Sequence, residues 1–396
     1  MNCKDRAIYL DNNATTPLDP VVLQAMMPYL TTDYGNAASH SHAFGWEAKK
    51  AVEKARKVIA AAINAPNPAD IIFTSGATES INLALSLPEN SGHVITSTIE
   101  HKAGLDSCAR LNSRGIDVSL LAPQLDGVVS PEAVSRAIRD DTRLVSIMSA
   151  NNEIGTLQKI EEIGEICQRC NIPFHTDATQ ALGKVAFDVQ KGRISLASFS
   201  AHKVYGPKGV GALYINSSNP TIRLSPLLVG GGHERGLRSG TLNVPGIVGF
   251  GRAVELAVDN MPEETARIRA LRDMLCQYIL NEIPEVKFNG NQHESLPGLL
   301  NVSFAGIDAD SLLLELSEFA LSSGSACTSA QRAPSHVLQA IGVSDSLSQA
   351  SIRFGLGRFN HEDEIRYLCQ RLGEAVKSLR AMTPASFHIP KTYQER

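Results

Sequence analysis

No run of apolar residues in this 396-residue chain is long enough to span a bilayer as a helix. The opening stretch, MNCKDRAIYLDNNATTPLDP, lacks an apolar signal core, so a soluble, cytoplasmic protein is expected. An excess of either charge is also missing. The 37 basic residues meet 41 acidic ones for a net charge of −4, which disfavours clamping nucleic acid by overall charge. A paired cysteine framework is absent as well. The seven cysteines (3, 108, 167, 170, 276, 327 and 369) are odd in number and scattered, as suits free thiols in a reducing compartment. GxxxxGK(S/T), HExxH and GxSxG do not occur, and no complete GxGxxG opens a helix after a strand. P-loop ATP chemistry, zinc proteolysis, hydrolase and dinucleotide chemistry therefore lose their usual local support. Cys167-x-x-Cys170 is the one metal-like spacing. With no second pair and a helical setting, both thiols are expected to pack, and no metal site is expected.

What is present is a globular composition, 43% hydrophobic and 20% charged, with short apolar strands alternating with helices. Helical spacing marks 46–63, 76–87 and 161–170. Strand patterns mark 70–75, 93–97, 118–121, 143–148, 173–176, 195–199 and 210–215. Such alternation predicts an α/β fold with a mostly parallel sheet covered on both faces. The last three strands follow without a long helix between them, so the sheet is expected to be mixed. After Gly246 come long helices at 247–258 and 265–282, short strands at 286–288, 299–304 and 352–354, and helices at 310–318 and 362–379. These read as a smaller α+β domain.

Chemistry concentrates between His175 and Gly211. Asp177 follows one strand and Lys203 another, and open α/β sheets bind ligands beyond the carboxyl ends of their strands. Pyridoxal phosphate needs such a pair: an amine for the Schiff base, and a carboxylate that keeps the pyridine nitrogen protonated. Its phosphate needs donors. Ser75-Gly-Ala-Thr-Glu-Ser80 turns a strand into a helix, where backbone N–H groups, Ala77 among them, and the Thr78 hydroxyl make an anion cup. Ser200 and His202 add side-chain donors. Each piece alone is more often a helix cap or a helix entry, and only their joint appearance favours the cofactor.

The chain resembles the cysteine desulfurases of the IscS/NifS type, fold-type I pyridoxal-phosphate enzymes of the class-V aminotransferase family. The resemblance runs through YLDNNATTP (Tyr9–Pro17), FTSGATES (Phe73–Ser80), EHKA (Glu100–Ala103), NNEIG (Asn151–Gly155) and HTDATQALGK (His175–Lys184). It continues through SFSAHKVYGPKGVGALY (Ser198–Tyr214), GGGHERGLRSGT (Gly230–Thr241), SSGSACTS (Ser322–Ser329) and IRFGLGR (Ile352–Arg358). The resemblance implies Lys203 as the Schiff-base lysine, Asp177 at the ring nitrogen and Gln180 at the phenolic oxygen. It implies His101 stacked on the ring and moving protons, and Thr78, Ser200 and His202 on the phosphate. Thr241 would reach the phosphate from the other subunit of a homodimer. Asn152 and Arg353 would hold the substrate carboxylate, for which a planar guanidinium fork is suited. Cys327, in a small, polar, Gly-containing loop, would be the nucleophile that takes sulfur from L-cysteine as a persulfide and leaves L-alanine.

From this follow a fold-type I large domain (16–260) and a small domain (1–15 and 261–396) carrying the cysteine loop. Sulfur would pass to an acceptor protein, for iron–sulfur cluster assembly or thiolation of tRNA or other nucleic acid, without membrane or direct nucleic-acid binding. A selenocysteine lyase or other lyase on the same fold is the first alternative. A non-catalytic sulfur-relay protein is the second, and intact Lys203, Asp177, His101 and Cys327 weigh against it. Asn13 stands where many members have Ser, Ala201 where Gly is usual and Gly104 where Val is usual. After Met382 the chain reads TPASFHIPKTYQER, without the acidic and aromatic run that resembles the scaffold-docking end of the housekeeping members, so the acceptor stays open.

Overall fold

A computed structural model describes residues 7–86, 91–323 and 334–382. In chain order its first elements are β1 (Ile8–Tyr9), α1 (Pro20–Thr31), α2 (Ala43–Ala62), β2 (Ile71–Thr74), α3 (Ala77–Ala84), β3 (His93–Ser97) and α4 (Lys102–Asn112). Next come β4 (Asp117–Leu121), α5 (Pro131–Ala137), β5 (Thr142–Ser146), α6 (Ile160–Arg169), β6 (Phe174–Asp177), β7 (Leu196–Ser200) and β8 (Gly211–Ile215). The remainder is α7 (Val244–Asp259), α8 (Met261–Glu282), β9 (Val286–Phe288), β10 (Leu299–Phe304), α9 (Ala309–Glu315), β11 (Phe319–Ala320) and β12 (Ser322–Ser323). It ends with α10 (His336–Ala340), α11 (Asp345–Gln349), β13 (Ser351–Gly355) and α12 (Glu362–Met382).

A seven-stranded sheet runs β2-β8-β7-β6-β5-β3-β4. The neighbours from β4 to β7 are parallel, and β8 is antiparallel to both β7 and β2. The sheet is therefore mixed, as the missing helix between β7 and β8 predicts. β6 and β7 are buried along their whole length, which suits strands covered on both faces.

On one side α2 packs against α7, and both lie in the core cluster of the sheet through Ala48, Val52, Ala55, Ile59, Ile247, Phe250 and Val254. The helices approach closely at Gly251, where a Cβ would sit 2.8 Å from the Cα of Ala55. Each fully buried Ile, Val or Phe contributes on the order of 1.5–3 kcal/mol, an upper figure because the unfolded chain is already partly collapsed.

A second, four-stranded antiparallel sheet runs β12-β13-β10-β9. Its core joins Leu275 and Ile279 of α8, Val302 and Phe304 of β10, Ile352 and Phe354 of β13 and Leu368 and Leu372 of α12. β1 pairs in parallel with β11, Ile8 opposite Phe319, so the start of the described chain packs with this second core.

One local expectation is corrected. Cys167 is buried on the inner face of α6, but Cys170 is exposed. The helix ends at Arg169, and the chain turns through Asn171 at φ 53 before β6. Cys170 therefore lies beyond the last buried position rather than on the packed stripe.

Candidate active site

The anion cup forms where β2 passes into α3. Gly76 caps the helix with φ 156 and ψ −179, a conformation open to glycine alone. A Cβ on Gly76 would come within 3.7 Å of the Ser200 Oγ, so that hydroxyl stands beside the helix entry. Gly211 closes the floor, because a Cβ there would be 2.6 Å from the Gly76 Cα. Ala77 and Thr78 occupy the first turn of α3, with the Thr78 side chain exposed. Glu79 accepts from the Ser75 N–H at 2.7 Å and from Arg238 Nε at 2.9 Å. That ion pair pins the 230–241 segment to the cup. Thr241 itself is exposed, just before α7.

Asp177 ends β6, and its Oδ1 accepts the Thr179 N–H at 3.0 Å. Lys203 lies three residues beyond β7 in a tight turn, its Nζ donating to the carbonyls of Asn13 and Ala14, each at 2.6 Å. His202 Nδ1 pairs with Thr15 Oγ1 at 3.0 Å. Burial, with Lys203, Lys208 and Lys184 nearby, pushes His202 down to about 4, so it is neutral at physiological pH. His101 caps α4, its Nδ1 accepting the Ala103 N–H at 3.1 Å. Burial lowers its proton affinity; Asp177 opposes that effect and Lys203 adds to it. Those two influences put His101 within electrostatic reach of both Asp177 and Lys203. Gln180 and Asn13 are joined twice, Asn13 Nδ2 to Gln180 Oε1 at 3.2 Å and Gln180 Nε2 to the Asn13 carbonyl at 2.9 Å.

Arg353, on β13, is 3% exposed. Its Nη1 donates to the Asn152 carbonyl at 2.9 Å and its Nη2 to Asp11 Oδ1 at 2.7 Å, while its Nε is buried without a protein partner. Arg353 also lies opposite Ser322 in the β12–β13 pairing. Cys327 falls outside the described residues. The segments on either side of it are tied into this region: Ser322 to Arg353, Ser335 Oγ to Glu153, and His336 Nε2 to the Glu100 carbonyl at 3.0 Å. Three buried thiols elsewhere are quenched. Burial raises Cys108 and Cys167 to about 12 and Cys369 to about 11, which suppresses thiolate.

Residues 8–368 match the family described as aminotransferase class-V. Over 382 residues the chain is 51% identical to "Cysteine desulfurase IscS" of Anaeromyxobacter dehalogenans, covering 95% of this chain and 94% of that protein. The chain belongs to the class-V aminotransferases and, within them, to the cysteine desulfurases. A solved structure titled "NifS-like protein" superposes with a TM-score of 0.87 at 38% identity, covering 94% of this desulfurase and 100% of that chain. Another, titled "SspA in complex with cysteine", gives 0.79 at 38% identity, covering 89% and 100%.

Several buried groups around the site lie inside the resembling segments but were assigned no role from sequence. Glu100 accepts from Ser97 Oγ at 2.7 Å and from the Met148 N–H at 2.9 Å. Burial pushes it up to about 8, with the nearby Asp177 charge adding to the rise, so it is largely protonated at neutral pH. Glu153 is likewise raised to about 7 by burial. His175 lies two residues before Asp177 on the same face of β6, between Ser146 at 2.8 Å and Ser198 at 2.9 Å. Burial pushes it to about 3, which makes it a neutral clamp across β5, β6 and β7. Asp11 and Lys184 were equally unmarked, although both lie inside the resembling segments. For His175 the signal was a polar residue within an otherwise apolar strand.

Proposed function

We propose that this chain is a pyridoxal-phosphate-dependent cysteine desulfurase that converts L-cysteine to L-alanine and carries the sulfur as a persulfide on Cys327. The observation that carries the reading is the convergence of Asp177, Lys203, His101 and Gln180 beyond the carboxyl ends of β6 and β7. It occurs in a chain 51% identical to a cysteine desulfurase. The donor set fits the cofactor. A glycine-lined helix entry takes a phosphate, a carboxylate faces a ring N–H, and an amine stands between them.

The cofactor, when bound, supplies an electron sink for the substrate carbon. In this reading Ala77 N–H, Thr78, Ser200 and His202 hold the phosphate, Asp177 holds the ring-nitrogen proton, and Gln180 donates to the phenolic oxygen. His101 stacks on the ring and, being neutral, takes up a proton from the substrate thiol or amine. Lys203 would hold the cofactor at rest, and its freed amine would take the proton from the substrate α-carbon and later return one to that carbon. Arg353 and Asn152 hold the substrate carboxylate, with Asp11 fixing the guanidinium. The Cys327 thiolate attacks the substrate sulfur. An S–S bond forms, the C–S bond breaks with its electron pair on carbon, and that carbon is protonated to give alanine.

The same reading assigns a homodimer in which Thr241 reaches the phosphate of the other subunit. The exposed Leu227, Leu228 and Val229 of the neighbouring segment are consistent with a covered face. It divides the chain into a large domain (16–260) and a small one (1–15 and 261–396); Leu10, α8, β10 and α12 share one core, while Val337, Leu338 and Ile341 pack with the core of the large sheet. It places the enzyme in the cytoplasm; among the described residues no helix is long and apolar enough to cross a membrane. The acceptor is an iron–sulfur scaffold or a thiolation carrier.

The test is purified protein with L-cysteine and a reducing thiol, assayed for alanine, sulfide and visible absorbance. Wild type is expected to be yellow and to make both products. Cys327→Ala is expected to keep the colour and lose sulfide, and Lys203→Ala to lose the resting absorbance. Equal sulfide release by Cys327→Ala overturns the persulfide step.

A further inference from the structure

Gln180 is gripped from two sides. Lys184, four residues on, donates from Nζ to Gln180 Oε1 at 3.0 Å, and Asn13 Nδ2 donates to the same oxygen at 3.2 Å. The amide's other end, Nε2, donates to the Asn13 carbonyl at 2.9 Å, and that carbonyl also receives Lys203 Nζ at 2.6 Å. The two lysines are thus linked through one side-chain amide and one peptide carbonyl. An ammonium has only donors, and an amide has one accepting end and one donating end. While Lys184 is protonated, flipping Gln180 would set its NH2 against the Lys184 ammonium and the Asn13 NH2, and would lose both bonds.

Lys184 lines a cleft with Asn12, Asn13, Tyr205, Glu264 and Leu299. Burial pushes its amine down to about 7; Lys203 and Arg353 lower it further, and Glu264 opposes them. On the Lys203 side, Asp177 and His101 complete the charged surroundings. Asn13 supplies the second donor to the Gln180 oxygen.

We propose that Lys184 is a positioning residue for the cofactor site: through Gln180 Oε1 it holds the amide with its NH2 end, and not its oxygen, toward the cofactor's phenolic oxygen. The inference rests on the pyridoxal-phosphate reading above and deepens it. A donated hydrogen bond stabilises the negative phenolic oxygen and weakens the hold on the neighbouring protonated nitrogen.

The experiment is a pH titration of the visible absorbance of the holoenzyme, with thermal midpoints recorded for every variant. Lys184→Met is expected to raise the spectral midpoint by about one pH unit. Gln180→Ala is expected to give a similar rise, and Lys184→Met in the Gln180→Ala background no further rise. Lys184→Arg, which keeps donors and charge, is expected to titrate like wild type. If Lys184→Met does not fold, Lys184→Ala carries the same comparison. An unchanged midpoint in a folded Lys184 variant overturns the inference. So does a rise that persists undiminished without Gln180, because Lys184 would then act by charge alone. A wild type that shows no visible band with pyridoxal phosphate overturns the cofactor reading itself, and the inference with it.

Discussion

The buried ion pair between Arg56 of α2 and Glu234 should govern both the stability of the large core and the placement of the 230–241 segment. The pair is bidentate, Nη1 to Oε2 at 2.8 Å and Nη2 to Oε1 at 2.7 Å, with both side chains under a tenth exposed. Glu234 Oε2 also accepts the Phe73 N–H of β2 at 2.7 Å, and Arg56 Nη1 donates to the Ile71 carbonyl. The guanidinium lies 4.7 Å from the Phe73 ring centroid. Glu234→Ala leaves the buried guanidinium with only the half-exposed Glu53, 3.2 Å from its Nε, as counter-charge and strands a strand N–H, and Arg56→Met strands a buried anion. Each is expected to cost about 3–5 kcal/mol. The double variant, Arg56→Met with Glu234→Ala, strands no buried charge. It loses only the partners of Phe73 N–H and Ile71 C=O, on the order of 1–3 kcal/mol apiece. It should therefore be markedly more stable than the sum of the single changes predicts, by about 2 kcal/mol or more. Equilibrium urea unfolding, read at constant slope, measures all three. Strict additivity, or a Glu234→Ala variant with wild-type stability, refutes the assignment of this pair as a charge-compensated anchor.

Three further outcomes are expected. Glu100 is raised in the fold from an ordinary 4.5 to about 8, so the stability its protonated form contributes is fully present below pH 4.5 and is lost as pH rises to about 8. Glu100→Gln keeps an acceptor for Ser97 and Met148, and should flatten the fall of thermal midpoint across that window; a parallel fall in wild type and variant would refute the role. Gly211→Ala places a Cβ 2.4 Å from the Phe199 carbonyl oxygen and 2.6 Å from the Gly76 Cα. It should cost about 1–3 kcal/mol and weaken retention of pyridoxal phosphate on dialysis, and unchanged retention would show that the cup does not depend on this contact. Arg353→Lys loses the planar fork between Asp11 and the Asn152 carbonyl. KM for L-cysteine should rise about tenfold or more, with a smaller effect on kcat, and an unchanged KM would remove Arg353 from the carboxylate site.

The sequence exposed those parts of the fold whose pattern and packing agree. β3, β9 and β10 fall where alternation and apolar runs place them, and the mixed sheet follows from the short link between β7 and β8. α1 was missed because Pro28 interrupts it and its apolar residues make no single stripe; its signals were the Asp19 cap and Pro20 at the first turn. α4 was missed because Gly104, Asp106 and Ser107 dilute its periodicity. A Cβ at Gly104 would meet Glu100 at an ordinary 3.5 Å, so no close contact forces glycine there. Asp177 and Lys203 stood out because pyridoxal-phosphate chemistry asks for those residue types at strand ends, and the structure places them at the ends of β6 and just beyond β7. The site was illegible wherever a group acts through another residue, as Asp11 does for Arg353 and Lys184 for Gln180.

That division has a physical cause. A side chain that meets a ligand is constrained by the ligand's chemistry, and the constraint survives in a short motif. A side chain that orients it is constrained only by three-dimensional contact, here between residues as far apart in sequence as Asp11 and Arg353. Burial then does the remaining chemistry. With neutral His101, His175 and His202 and a largely protonated Glu100, few net charges are left among the polar groups around Lys203. Asp177 and the lysines can then act on a bound ligand, while Arg353 is held by its pair with Asp11. Without that neutralisation, a motif-perfect sequence would place the same residues in a field dominated by its own histidines and carboxylates.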